Sequence, residues 1–187
     1  MARVARNIVT QGLSGMIGGA LVFRQRGEET IVSQAPGKQD RPATEAEKAH
    51  RSKFGMAILY GKGVNTDATS KGEYAKQAQG NQSAFNVAVA DFMSAPEIDE
   101  IDVTNYTGAV GSTIRVRAMD DFLVSRVLII VENSDGTIAD QGDAVLDANG
   151  LDWIWTATTN NASLTGDKIT VRVNDLPGNE TEKIRNL

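Results

Sequence analysis

The sequence predicts an α+β protein: a Gly-rich extended segment, a β-hairpin and two helices over residues 1–96, then an all-β sandwich over 97–187. Two observations carry that division. Apolar residues follow helical spacing between 44 and 92. After Glu97 they alternate with period two in short runs broken by Asp, Asn and Gly. The charge changes at the same place: residues 1–96 carry 12 Lys/Arg against 8 Asp/Glu, net +4, and residues 97–187 carry 7 against 16, net −9.

Each element has its own local reason. Residues 1–18 lack a helical period, and Gly12, Gly15, Gly18 and Gly19 favour an extended or closely approached backbone. Two β-rich runs, 20–25 and 29–34, flank Gly27 and read as a hairpin whose edges need cover from another element or another subunit. Residues 36–41 form a loop. Thr44 then caps a helix, with Glu47 at the capping-box position and both Glu45 and Glu47 complementing the helix dipole. Ala46, Ala49, Lys53, Phe54, Ala57 and Ile58 keep helical spacing, and Lys48, Arg51 and Lys53 form a basic patch. A polar loop over 61–70 leads to a second helix over 71–92, with Gly80-Asn81 as a break and Pro96 as its end.

Beyond Glu97, strands are predicted at 98–106, 112–118, 125–132, 138–146, 153–159 and 168–173, with turns at 108–111, 133–136, 148–150 and 162–166. This regular spacing of short strands argues for a β-sandwich. Trp153 and Trp155 fall on one face of their strand and supply core.

The segment 114–121 with the strand that follows it, and the ending Gly166-Asp167-Lys168-Ile169-Thr170-Val171-Arg172-Val173-Asn174-Asp175-Leu176-Pro177-Gly178-Asn179, resemble bacterial immunoglobulin-like repeats, whose last strand closes on D-x-x-G-N. The resemblance covers the last half of the chain and implies an immunoglobulin-like sandwich. Such modules serve as spacers, adhesins and assembly units, so it carries no single function. The first half is similar to a family of uncharacterised bacterial proteins, through Gly12 to Gly19, the Thr44 to Phe54 helix start and Phe85-Asn86. That family brings architecture without an activity.

Chemistry is sparse. The chain has no Cys, which removes disulfides, thiolate catalysis and Cys-ligated zinc. One histidine, His50, builds neither a triad nor a His-based metal site. No Gly-rich phosphate loop or nucleophile elbow is complete. No catalytic residue and no cofactor are expected. Asp120, Asp121, Asn174 and Asp175 recur at the ends of two similar strands. If those ends meet, their oxygens suit Ca²⁺, but Asp and Asn also favour β-turns, and that is the preferred reading. A net +4 with few aromatics among the basic residues argues against nucleic acid.

The N-terminus mimics a signal peptide poorly, since Gln11, Ser14 and glycines interrupt its apolar stretch. No segment is long enough for a membrane span. The expectation is cytoplasmic synthesis of a non-enzymatic structural subunit, part of a virion or tail-like particle released by lysis. It self-assembles into a tube, filament or particle, with itself and other structural proteins of that particle as partners. The assembly residues are Gly12, Gly15, Leu21, Phe23, Lys48, Arg51 and Lys53. The alternative is a monomeric immunoglobulin-like module that binds carbohydrate or protein.

Overall fold

The computed structural model describes residues 2–4, 8–27, 29–37 and 41–187. Arg6, Glu28 of the hairpin turn and positions 38–40 of the 36–41 loop lie outside them. The fold is mixed α+β, and the described residues form three helices and three four-stranded antiparallel sheets.

The first sheet holds β1 (Ala2–Val4), β2 (Gly15–Ile17), β3 (Leu21–Arg26) and β4 (Glu29–Gln34) in the order β1-β4-β3-β2. The predicted hairpin is β3–β4, turning at Gly27 with φ 62°. Its edges are covered from within the chain by β1 and β2, so no second subunit is needed for that purpose. The register opposes Ile17 to Leu21 and Phe23 to Val32 on one face, and Met16 to Val22 on the other. Apolar side chains therefore occupy both faces of this sheet.

α1 (Glu45–Thr66) starts as expected. Thr44 Oγ1 accepts from the Glu47 N–H at 3.2 Å and Glu47 Oε2 accepts from the Thr44 N–H at 2.8 Å. The Arg41 guanidinium adds a fork onto Glu47 at 2.7 and 2.9 Å. Arg41, and then the Thr44 backbone, hold the Glu47 carboxyl down at about 2. Because that value is depressed, the cap is intact above the ordinary carboxylate range and is lost as pH falls through about 2. A carboxyl-carbon NMR titration should place the Glu47 midpoint near 2, and Arg41→Ala should move it upward.

α1 departs from expectation downstream. Residues 61–66 are helix, not loop, because buried Gly61 and Val64 face α3 (Ala84–Met93). A Cβ at Gly61 would lie 2.9 Å from Phe85 and Val89, so its missing side chain lets the two helices approach. The predicted 71–92 helix is α2 (Ala68–Gln77) and α3, capped by Asp67 and Ser83 and parted at Gly80 with φ 57°. Of the expected face, Lys53 and Ala57 turn inward and the face continues through Tyr60, Gly61 and Val64, while Ala46, Ala49 and Phe54 are exposed. α3 ends at Met93, three residues before Pro96.

The remaining sheets are β5 (Glu97–Asp102), β6 (Thr113–Met119), β10 (Asp152–Thr156) and β9 (Val145–Leu146) in the order β5-β6-β10-β9, and β12 (Glu180–Asn186), β11 (Lys168–Asp175), β7 (Val124–Glu132) and β8 (Ile138–Asp143) in the order β12-β11-β7-β8. Both sheets supply one buried cluster: Ile114, Val116 and Trp155 from the first, Val127, Ile129, Val131, Ile169, Val171 and Val173 from the second. Every buried member lies at or beyond Ile98. Trp153 shares Trp155's face and packs against the cluster half-buried.

The strands depart from the sequence expectation in four places. The 138–146 run is two strands in different sheets, because the chain crosses between them at buried Ala144. β12 was not expected at all. It is an edge strand of mostly exposed charged residues, without the apolar alternation that marks a half-buried strand. The 98–106 and 153–159 runs leave the ladder early, at Asp102 and Thr156.

Candidate functional site

The densest chemistry sits where α3 meets the loops at one end of the two sheets. α3 is apolar along AFNVAVADFM, with Asp91 its one charged residue. Asp91 lies on the inner side of the last turn and is 1% exposed. Its Oδ2 accepts from the Tyr74 O–H at 2.5 Å, and Tyr74 shares a 2.8 Å hydrogen bond with Tyr60. Its Oδ1 has no partner.

Asp120 follows β6 and shapes the turn into β7. Its Oδ2 accepts from the Phe122 and Leu123 N–H groups at 3.1 and 2.9 Å. That turn sets Phe122 onto Tyr74, with ring centroids 4.1 Å apart and planes at 22°. Asp120 Oδ1 is shut off from solvent and has no partner.

Asp175 ends β11 and is 2% exposed. Its Oδ1 accepts from the Gly178 and Asn179 N–H groups at 2.8 and 2.6 Å, which closes the D-x-x-G-N loop. The Asn179 amide spans the junction. It donates to Asp175 Oδ2 at 2.6 Å, to the Ser94 carbonyl at 2.7 Å and to the Phe92 carbonyl at 3.3 Å. The exposed C-terminal carbonyls of α3 are thereby satisfied by the sheet end.

Carboxylate oxygens of Asp91, Asp120 and Asp175 lie within 4.8 Å of one another. Burial pushes the Asp91 carboxyl up to about 7, the charges of Asp120 and Asp175 push the same way, and the Tyr74 hydrogen bond opposes them. Burial and the Asp91 carboxylate likewise raise the Tyr74 hydroxyl. Three acidic groups converge, and two of them, Asp91 and Asp120, each leave one oxygen without a donor. Such an arrangement either holds a hard cation or shares a proton.

The structure unites two of the sequence candidates, Asp120 and Asp175, and leaves out the others. Asp121 turns away to accept from Ser94 Oγ at 2.6 Å, and Asn174 reaches Glu180 on the neighbouring strand at 3.3 Å. Sequence reasoning missed Asp91. Its one signal was a lone charge in an apolar helix.

The assembly candidates are scattered. Gly12 and Gly15 are exposed with open space around them, and Leu21 is exposed. Phe23 is buried within the single chain, where its strand register opposes it to Val32, so it is not available to a neighbour. The basic patch is broken up: Lys48 pairs with Glu45 at 2.8 Å, and Lys53 donates to the Met93 carbonyl at 3.0 Å, capping α3. Arg51 and His50 are exposed.

Among the described residues no helix is long and apolar enough to cross a membrane. No protein-family profile and no curated protein matches this sequence.

Proposed function

We propose that the chain is a non-enzymatic structural subunit that self-assembles through its first sheet, the helices acting as a spacer and the two-sheet body, of immunoglobulin-like type, facing outward. The observation that carries this reading is the first sheet's surface. Met16, Ile17 and Leu21 of its strands are exposed, as are Ile8, Val9 and Leu13 of the segment leading into β2, and only Phe23 and Thr30 are buried among the described residues of the sheet. A sheet with apolar residues on both faces is stabilised by layers on both sides, and among the described residues much of this apolar surface is left uncovered. Packing against further copies, in a tube, filament or virion-like particle with its other structural proteins, buries these faces. The net +4 of the first half and net −9 of the second give such copies a polarity.

A second reading has its own observation. At the opposite end of the sheets, Asn133, Ser134, Asp135, Asn160, Asn161 and Asp167 line an open polar depression, as suits a monomeric module that binds carbohydrate or protein.

Size-exclusion chromatography with light scattering, and negative-stain microscopy, separate the two. The full chain is expected to form large regular assemblies. Ile17→Glu with Leu21→Glu, two exposed and directly opposed positions, should leave monomers with unchanged Trp emission. A full chain that stays monomeric at high concentration defeats the assembly reading.

A further inference from the structure

We propose that Asp91, Asp120 and Asp175 bind one hard divalent cation, calcium by preference, which fastens α3 to the loops that end β6 and β11. Three facts carry this beyond a mere cluster of acids. Asp91 is 1% exposed yet leaves Oδ1 without a hydrogen-bond partner. Asp120 Oδ1 is equally unpartnered and closed to solvent. Oxygens of all three residues lie within 4.8 Å of one another, about twice a Ca–O bond of roughly 2.4 Å.

The other oxygens of the cluster are already committed. Asp91 Oδ2 holds Tyr74, Asp120 Oδ2 holds two backbone N–H groups, and Asp175 holds the Gly178–Asn179 loop. These hydrogen bonds fix the three carboxylates from behind, as partners of metal ligands do. The orphan oxygens of Asp91 and Asp120 remain for a cation or for a proton shared between the two carboxyls, and the test below separates these. A dication offsets most of three clustered negative charges.

Two surface depressions border the cluster. One is lined by Ser94, Ala95, Glu97, Met119, Asp120 and Asp121. The other is lined by residues including Ala90, Asp91 and Phe122. A cation entering from either would bring water to complete the six to eight oxygen ligands that calcium takes. Magnesium needs ligands at about 2.0–2.1 Å in near-ideal octahedral geometry, a stricter demand than calcium makes on carboxylates already fixed by other hydrogen bonds.

The test uses the full chain, stripped with a chelator and titrated with Ca²⁺ alone by calorimetry, with Mg²⁺ as a parallel arm. Tb³⁺ luminescence excited through tyrosine gives a second readout, since the Tyr74 hydroxyl sits on Asp91. One Ca²⁺ per chain is expected, bound more tightly than Mg²⁺. At a hundredfold excess over the dissociation constant, the thermal midpoint should rise by roughly 5–10 °C. Asp120→Asn keeps an acceptor for its two backbone donors and should weaken Ca²⁺ at least about tenfold; Asp91→Asn should do the same. Glu132→Gln, at the far end of β7, should leave affinity unchanged. Absence of Ca²⁺ and Tb³⁺ binding up to millimolar concentration would overturn the proposal and leave the cluster to a shared proton. So would binding that both Asp120→Asn and Asp91→Asn leave intact. Should Asp91→Asn fail to fold, Asp120→Asn decides alone.

Discussion

Replacing Trp155 by alanine is expected to cost about 3–5 kcal/mol, the range for emptying a large aromatic site in a packed core. Trp155 is 2% exposed and stands opposite Ile114 in the β10–β6 ladder. Tyr106 lies beside it with ring centroids 6.1 Å apart. Gly142 on β8, from the other sheet, faces the indole, and a Cβ there would sit 3.0 Å from Nε1. The indole thus fills the space between the sheets at a place cleared for it, and neighbours anchored in two ladders collapse little into the void. In a chain of 187 residues the loss corresponds to a midpoint lower by roughly 6–20 °C. Urea unfolding followed by Trp153 emission checks it. Trp153→Ala, at a half-buried position, should cost clearly less. Equal costs for the two would mean that the core is not centred on Trp155.

Gly61→Leu is expected to destabilise the helical layer by about 1–3 kcal/mol or more through overpacking. Any side chain there starts 2.9 Å from the Phe85 ring and from Val89 Cγ2, so α1 and α3 must part. Gly55→Ala and Gly63→Ala supply the control with the opposite sign. Both positions are exposed in the same helix with open space where a Cβ would go. Alanine there should stabilise by roughly 0.5–1 kcal/mol through backbone entropy. Thermal unfolding monitored at 222 nm reads all three. A stabilised Gly61→Leu variant would show that the α1–α3 contact is looser than the geometry implies.

These glycines also mark where the sequence could and could not be read. The capping box at Thr44 and Glu47 and the turn at Gly27 were legible, because each is a local device whose residues are neighbours in the chain. Gly61 and Gly63 were misread as a loop, because a helix-breaking propensity of about 1 kcal/mol is overridden when a missing side chain lets two helices touch. The crossing at Ala144 was invisible, since period two continues through a strand that changes sheets. β12 escaped because most of its residues face water. For the carboxylate cluster, Asp120 and Asp175 announced themselves by recurring at strand ends. Asp91 did not, since nothing in local periodicity says that the last turn of α3 will land between two distant loops.

The ladder order also sets the timetable of folding. The central pairs β7–β11 and β6–β10 join residues roughly forty positions apart, as Val131 to Ile169 and Val116 to Trp153. Chain must be looped before any of this pairing is rewarded, so the sheets belong to the slow regime of milliseconds to seconds. α1, α2 and α3 are close in sequence and can meet far sooner. The turn between β6 and β7 carries Phe122 from one sheet to the other, so Tyr74 receives its stacking ring only when the helices meet the assembled sheets. Connectivity thus makes helix–helix contact the cheap step and the closure of the helices onto the sheets the costly one.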